Sequence, residues 1–343
     1  MKKAFGLASA FILAAGLTAG CSSNRASGDQ KEDKEKLDIY TTIYPLEDFT
    51  EKIGGEYVNV KSVYPPNVEA HTYEPSSKTM AEISDSDAFI YSGVGVEGFA
   101  DKAVNTLKGS NVKIFKAGEG IDLLSNEEEH AHEEEHAHEE EHAHEEDGHD
   151  EGHDHEHAES EEHDHDHGDK DPHIWLDPVL AEQLAENIKN ELVQLDPDHE
   201  QTFTKNYESL KKDLDQLHQD FKQTVDKADK KEILVSHAAY GYWEKRYGIE
   251  QMSVLGLSPT EEPSQKELEN IVKTAKEHNI KYVIFESNVS SKISEIIKKE
   301  IGAESLTMKN LESVSKEDIE NGEDYVSIMK ENLAVLKKAL SNQ

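Results

Sequence analysis

The run Glu200-Gln201-Thr202-Phe203-Thr204-Lys205-Asn206-Tyr207-Glu208-Ser209-Leu210-Lys211-Lys212-Asp213-Leu214-Asp215-Gln216-Leu217-His218-Gln219-Asp220-Phe221-Lys222-Gln223-Thr224-Val225-Asp226-Lys227 places Phe203, Tyr207, Leu210, Leu214, Leu217 and Phe221 at spacings of three and four. That is the helical period, with polar residues on the other faces. A helix of about 28 residues would be near 42 Å long at about 1.5 Å per residue. Such a length is unusual inside one domain and suits a rigid connection between two lobes.

Short β-rich runs alternate with helical patterns on either side of this helix. Upstream, strands are expected at Leu37–Ile43, Val58–Val63, Ala88–Tyr91 and Val112–Phe115, with helices over Leu46–Ile53 and Val96–Leu107. A helical period through Leu180, Leu184, Ile188 and Leu192 starts after Asp177-Pro178 and is broken by Asp196-Pro197. Downstream, strands are expected at Glu232–Ser236, Met252–Leu255, Lys281–Phe285 and Glu304–Met308, and helices at Gln265–His278, Ser291–Ile301 and Asp324–Leu340. Alternation of this kind argues for βα units and parallel sheets. The expected fold is α/β: an N-terminal lobe over residues 37–197, a linking helix over 198–230 and a C-terminal lobe over 231–343.

The first lobe is interrupted at 126–170 by a stretch made almost wholly of Glu, Asp and His. Three Glu-Glu-Glu-His-Ala-His hexads carry His130 and His132, His136 and His138, then His142 and His144. The repeat then degrades through His149, His153, His155 and His157 to His163, His165 and His167. These are 13 of the 19 histidines in the chain. Imidazole is the commonest side-chain ligand for borderline divalent metals, and carboxylates add hard oxygen beside it. The stretch has no apolar period with which to bury a core, so disorder without metal is expected, with accessory, low-affinity binding of several ions. His132-Glu133-Glu134-Glu135-His136 and His138-Glu139-Glu140-Glu141-His142 satisfy the zinc-protease pattern. In a protease that pattern lies on a packed helix; here it is a by-product of repetition, and no enzyme is expected.

The formal net charge is −37. Residues 127–171 hold 23 Asp and Glu against one Lys, which accounts for −22 and leaves −15 for the rest. Such a chain repels nucleic acid backbones. At the N-terminus, Lys2 and Lys3 precede an apolar run from Ala4 to Leu17 and the small residues Ala19 and Gly20. This reads as a signal peptide over residues 1–20, too short for a membrane span of about 20 apolar residues. Leu17-Thr18-Ala19-Gly20-Cys21 resembles a bacterial lipobox, with Thr18 in place of the usual aliphatic residue. Cys21, the sole cysteine, is then the lipidated residue. Residues 21–36 would form a polar tether to the membrane surface.

In open α/β sheets ligands bind beyond the carboxyl ends of the strands. His71, His237, Glu286 and Glu312 all fall at or after such ends, and His173 lies between the Asp171-Pro172 and Asp177-Pro178 steps that rigidify a short extended segment. His199, His218 and His278 lie on polar helical faces and read as structurally bland.

Three segments carry a specific likeness: His71-Thr72-Tyr73-Glu74-Pro75, Asp171-Pro172-His173-Ile174-Trp175-Leu176-Asp177-Pro178 and Ser236-His237-Ala238-Ala239-Tyr240-Gly241-Tyr242. With the acidic His-rich insert and the lipobox, they resemble the zinc and manganese solute-binding lipoproteins of ABC importers, and most of all the zinc branch of ZnuA and AdcA type. The likeness runs from Leu37 to the end. It implies a metal site between two lobes with His71, His173 and His237 as ligands. The fourth ligand would be a carboxylate of the C-terminal lobe, Glu312 by its place in Lys309-Asn310-Leu311-Glu312-Ser313, or water. Glu286 competes for that role and otherwise supports the site from behind.

The manganese branch has a carboxylate where His237 stands. Zn²⁺ accepts nitrogen readily and prefers four ligands, so Zn²⁺ is the expected cargo. The implied partners are an importer permease with its cytoplasmic ATPase, the implied location is the outer face of the cell membrane, and the protein is expected to be a monomer. The alternatives are a surface zinc buffer or adhesin not coupled to transport, and a manganese-binding member of the same family.

Overall fold

The computed structural model describes residues 36–125, 170–288 and 291–341. The signal segment, Cys21, the tether as far as residue 35 and all 13 histidines of the insert lie outside the described residues. Two four-stranded, wholly parallel sheets carry the fold. The first joins β1 (Leu37–Thr41), β2 (Val58–Ser62), β3 (Ala88–Tyr91) and β4 (Lys113–Lys116) in the order β2-β1-β3-β4. The second joins β5 (Glu232–His237), β6 (Glu250–Leu255), β7 (Tyr282–Glu286) and β8 (Glu304–Met308) in the order β6-β5-β7-β8. In each sheet the winding reverses direction between the first strand and the third, which is where such sheets open a crevice at their carboxyl ends.

The helices are α1 (Tyr44–Gly54), α2 (Ser77–Ser84), α3 (Ala100–Leu107), α4 (Pro178–Leu195), α5 (Glu200–Asp226), α6 (Gly241–Tyr247), α7 (Gln265–Glu277), α8 (Lys292–Ile301), α9 (Lys316–Asn321) and α10 (Tyr325–Ser341). The 27-residue α5 is the long helix expected from its apolar stripe, and it joins the two α/β lobes. Phe203, Tyr207, Leu210, Leu214, Leu217, Phe221 and Val225 are its buried residues. They belong to one hydrophobic core that runs through both lobes and includes Phe49 and Ile188 on the N-terminal side and Trp243 and Leu336 on the other. A smaller core, with Leu234, Val254, Ala275, Ile280, Val283 and Ile297, covers the outer face of the second sheet. Adjacent residues of β5 thus enter different cores, as in a parallel sheet covered on both faces.

Several expectations need adjustment. β1 stops at Thr41, two residues short of the expected Ile43, because Ile43 already serves as the N-cap of α1, whose first turn holds Pro45. Helix α3 begins at Ala100, four residues later than its apolar pattern, because Glu97 turns its carboxylate back onto Ser92 and Thr42. The segment after His173 is not extended: Ile174–Leu176 form a 3₁₀ turn, followed by Pro178 at the first position of α4 and the Asp177 carboxylate capping Val179 N–H at 3.0 Å. Helices α2, α6 and α9, of eight, seven and six residues, were not expected. Ser125 and Lys170, at the two margins of the insert, pair in an isolated antiparallel bridge.

Because α5 draws its place from its buried stripe, Leu217→Ala is expected to destabilise the protein by about 2–5 kcal/mol. Lys212→Ala, on the exposed face, is expected to stay within about 0.5 kcal/mol. Denaturant unfolding of the metal-free protein measures both.

Candidate metal centre

His237 is the last residue of β5 and Glu286 the last of β7. Val235 lies opposite Ile284 in the register of these neighbouring strands, so two residues further on His237 and Glu286 stand side by side. His237 Nδ1 lies 2.5 Å from Glu286 Oε1. This turns Nε2 of the imidazole away from the sheet and towards the other lobe.

His173 meets it there. Its own Nδ1 lies 2.8 Å from Asp171 Oδ1, which also accepts the His173 backbone N–H at 2.8 Å. Gly241 lets this carboxylate approach, since a Cβ there would stand 2.7 Å from Asp171 Oδ2. The two Nε2 atoms of His173 and His237 face each other at 3.3 Å. In both residues a buried carboxylate takes Nδ1 and leaves Nε2 free to bind, the arrangement typical of metal-ligating histidines.

His71 comes from the loop between β2 and α2. Glu69 folds back to accept the His71 and Thr72 N–H groups at 2.8 and 3.0 Å. Gly98 supports the loop from beneath, where a Cβ would meet the His71 carbonyl oxygen at 2.6 Å. Glu312 follows β8. Its Oε2 accepts Ala70 N–H at 3.3 Å across the junction of the lobes, and the Asn288 amide at 3.4 Å from within its own lobe. Its Oε1 points inward, 3.4 Å from His71 Nε2 and 3.9 Å from His173 Nε2.

The ligand atoms of His71, His173, His237 and Glu312 all lie within 4.8 Å of one another. Tetrahedral zinc with ligands at about 2.0–2.1 Å requires separations of roughly 3.3 Å between ligand atoms. Two of the separations just given, 3.3 and 3.4 Å, match that edge, and the third is 3.9 Å. Glu312 Oε1 and His71 Nε2 are buried without a hydrogen-bond partner. Polar atoms left so in an interior call for a ligand. Three side chains are fully buried, and His71 retains 10% exposure.

The electrostatics follow from burial and pairing. Burial holds the His173 imidazole well below its usual pKa, helped by its two histidine neighbours. Burial also works against protonation of His71 and His237. It is outweighed at His71 by the neighbouring Glu312 carboxylate, and at His237 by Glu286, so both lie above the ordinary histidine value. Burial would raise Glu312, yet the neighbouring His71, then the charges of His237 and His173, bring it down to about 2. Asp171 is pushed up to about 7 by burial, against the pull of the His173 N–H.

Of the residues expected at the site, the fold thus brings His71, His173, His237 and Glu312 to one point and sets Glu286 behind His237. The remaining described histidines lie elsewhere, each with a partner: His199 on Asp196 and Tyr57, His218 on Tyr247 and His278 on Glu232. Asp171 was read only for its Asp-Pro step. An Asp two residues before a ligand histidine was the signal available for its supporting role.

Two parallel sheets bridged by a helix, with a buried His₃-carboxylate cluster between them, define a two-lobed binding protein of the metal-capturing class. Residues 39–339 match the family model ZnuA, described as zinc-uptake complex component A, periplasmic. The chain is 38% identical over 340 residues to the high-affinity zinc uptake system protein ZnuA of Bacillus subtilis (strain 168), covering 98% of this chain and 96% of that one. It is 34% identical over 319 residues to the zinc-binding lipoprotein AdcA of Streptococcus pneumoniae (strain R6), covering 93% of this chain and 58% of AdcA. The crystal structure of the Zn(II)-bound ZnuA-like domain of that species' AdcA superposes with a TM-score of 0.69 at 32% identity, over 90% of this chain and all of that one. The chain belongs to the ZnuA family of solute-binding proteins.

A cation entering the cluster must displace the protons that Glu312 and Glu286 favour on His71 and His237. Since both imidazoles titrate above the usual value, Zn²⁺ affinity is expected to fall as pH is lowered through and below neutrality, with about two protons released per ion at the acid end. Chelator-competition titrations between about pH 5 and pH 8 measure the slope.

Proposed function

We propose that this protein captures Zn²⁺ outside the cytoplasm and delivers it to the permease of an ABC importer driven by a cytoplasmic ATPase. The observation that carries the reading is the buried cluster of three imidazoles and one carboxylate drawn from both lobes. Three neutral imidazoles and one carboxylate around Zn²⁺ leave a net charge of +1, and Asp171 and Glu286 stand behind to offset it. A carboxylate in the fourth position leaves no open site at which zinc would activate water, so the cluster suits carriage rather than catalysis.

In this reading residues 1–20 are a signal peptide, Cys21 carries the lipid anchor and residues 21–36 are the tether. The lobes span 37–197 and 231–343, with 198–230 as the link. His71, the one ligand with an exposed edge, lies on the route of exchange. Because α5 packs against both lobes, opening proceeds by small movements, and the bound ion favours the closed arrangement through ligands from both sides. The permease then distinguishes loaded from empty protein by that shift. The insert at 126–170 gathers ions weakly. Its margins are tied at Ser125 and Lys170, and Asp171 N–H donates to Leu124 O at 3.0 Å, while the last histidine of the insert, His167, precedes His173 by six residues in the chain.

Deleting 126–170 is expected to lower zinc stoichiometry and leave one tight ion per chain; His71→Ala in that background should then lose tight binding. Retention of wild-type affinity by that variant would overturn the ligand assignment, and loss of all tight binding on deletion alone would overturn the division of labour. These outcomes are read by metal analysis and calorimetry. A strain lacking the protein is expected to grow poorly when zinc is limiting and to recover with added zinc. Unimpaired growth and zinc uptake would favour a surface buffer or adhesin instead.

A further inference from the structure

The four ligands leave the chain at four separate places, yet three of them trace back to one residue, two through its side chain and one through its backbone carbonyl. Asn310, buried between β8 and Glu312, makes three ties. Its Oδ1 accepts the Glu312 backbone N–H at 3.2 Å. Its Nδ2 donates to Glu286 Oε2 at 2.9 Å, and the other oxygen of Glu286 holds His237 Nδ1. Its backbone carbonyl accepts the Trp175 indole N–H at 2.7 Å, two residues beyond His173.

Leu311, between Asn310 and Glu312, is buried with φ at 61°. Non-glycine residues rarely adopt that region, and a turn built on it depends on its surroundings to persist. The Asn310 amide has one workable orientation, because a main-chain N–H must meet its oxygen while a carboxylate meets its nitrogen. Neither an aspartate nor an apolar residue supplies both. No bond from Asn310 reaches His71, whose loop is held by Glu69, by Gly98 and, through Ala70 N–H, by Glu312 itself.

We propose that Asn310 is a positioning residue that sets Glu312, His237 and His173 as one unit, so that an arriving ion meets three ligands already in register and draws in His71. The proposal rests on the reading of the cluster as the zinc site. Preorganisation of this kind lowers the ordering cost of binding without adding a contact to the ion.

The test uses the full chain stripped of metal, titrated with Zn²⁺ against a competing chelator and with one equivalent of Co²⁺ for its absorption spectrum. Asn310→Ala is expected to weaken tight Zn²⁺ binding about 10–100-fold, the usual cost of removing a supporting partner, and to alter the Co²⁺ spectrum. Asn310→Asp keeps the size and the acceptor for Glu312 N–H but sets a second carboxylate oxygen against Glu286 in place of the donor, so it breaks the same tie should the alanine variant fail to fold. Combined with Glu286→Gln, Asn310→Ala should be non-additive, since both release His237.

Wild-type affinity with an unaltered Co²⁺ spectrum in the folded variants overturns the proposal. So does a weakening that leaves the spectrum unchanged, or strict additivity with Glu286→Gln. His173→Ala in the same titration separates the two readings. If it too binds like wild type, the site assignment has failed; if it loses tight binding while the Asn310 variants do not, only the role of Asn310 has.

Discussion

The segment Asp171–Asp177 crosses between the lobes without belonging to either sheet, so the backbone groups it buries must find partners among side chains. Its carbonyls are met from the second half of the chain. Tyr242 donates to Asp171 O at 2.7 Å, Tyr325 to Trp175 O at 2.6 Å and the Trp243 indole to Leu176 O at 2.7 Å. The Trp175 indole donates back to Asn310 O, and Arg246 pairs with Asp177. A buried carbonyl left without such a donor costs about 1–3 kcal/mol, so these bonds fix where the segment lies. His173, at its centre, has no freedom to sit elsewhere. The two lobes are thereby held around the His173 imidazole.

The other ligands follow from sheet topology. Both sheets reverse direction between their first and third strands, and the crevices so formed face each other. One presents His237 beside Glu286 at adjacent strand ends; the other sends out the His71 loop. Burial alone would make this assembly of titrating groups unfavourable. Pairing offsets it: Glu312 against His71, Glu286 against His237 and Asp171 against His173, with the inner atoms of Glu312 and His71 left for a cation. Asp171 and Glu286 aim the imidazoles of His173 and His237, and Glu286 and Glu312 favour protons on His237 and His71 in competition with metal.

Much of the fold was legible because it rests on long, repeated patterns. The stripe from Phe203 to Phe221 marked α5, and short β-rich runs such as Ala88–Tyr91 marked strands buried on both faces. Helices α2, α6 and α9 were not legible: each has at most eight residues, and unlike α3, whose apolar pattern extends upstream to Val96, none is part of a longer apolar period. The 3₁₀ turn at Ile174–Leu176 was hidden for another reason: Asp-Pro steps on both sides favour extended backbone locally, and indole and phenol donors from distant helices select the tighter turn.

By itself the amino-acid sequence determined the alternation of βα units, the bridging helix and the short set of histidines and carboxylates placed at strand ends. These depend on periodicity and on local backbone preference, which neighbours in the chain impose. Only the tertiary structure decided which carboxylate faces the imidazoles and which stands behind one. Glu286 and Glu312 both lie at or just after the end of a strand, and nothing local distinguishes them. The register of β5 against β7 commits Glu286 to His237 Nδ1, while the left-handed turn at Leu311 and the donors from Ala70 and Asn288 turn Glu312 inward. The register and the two donors act between residues far apart in the chain, and the Ala70 donor exists only once the lobes have met.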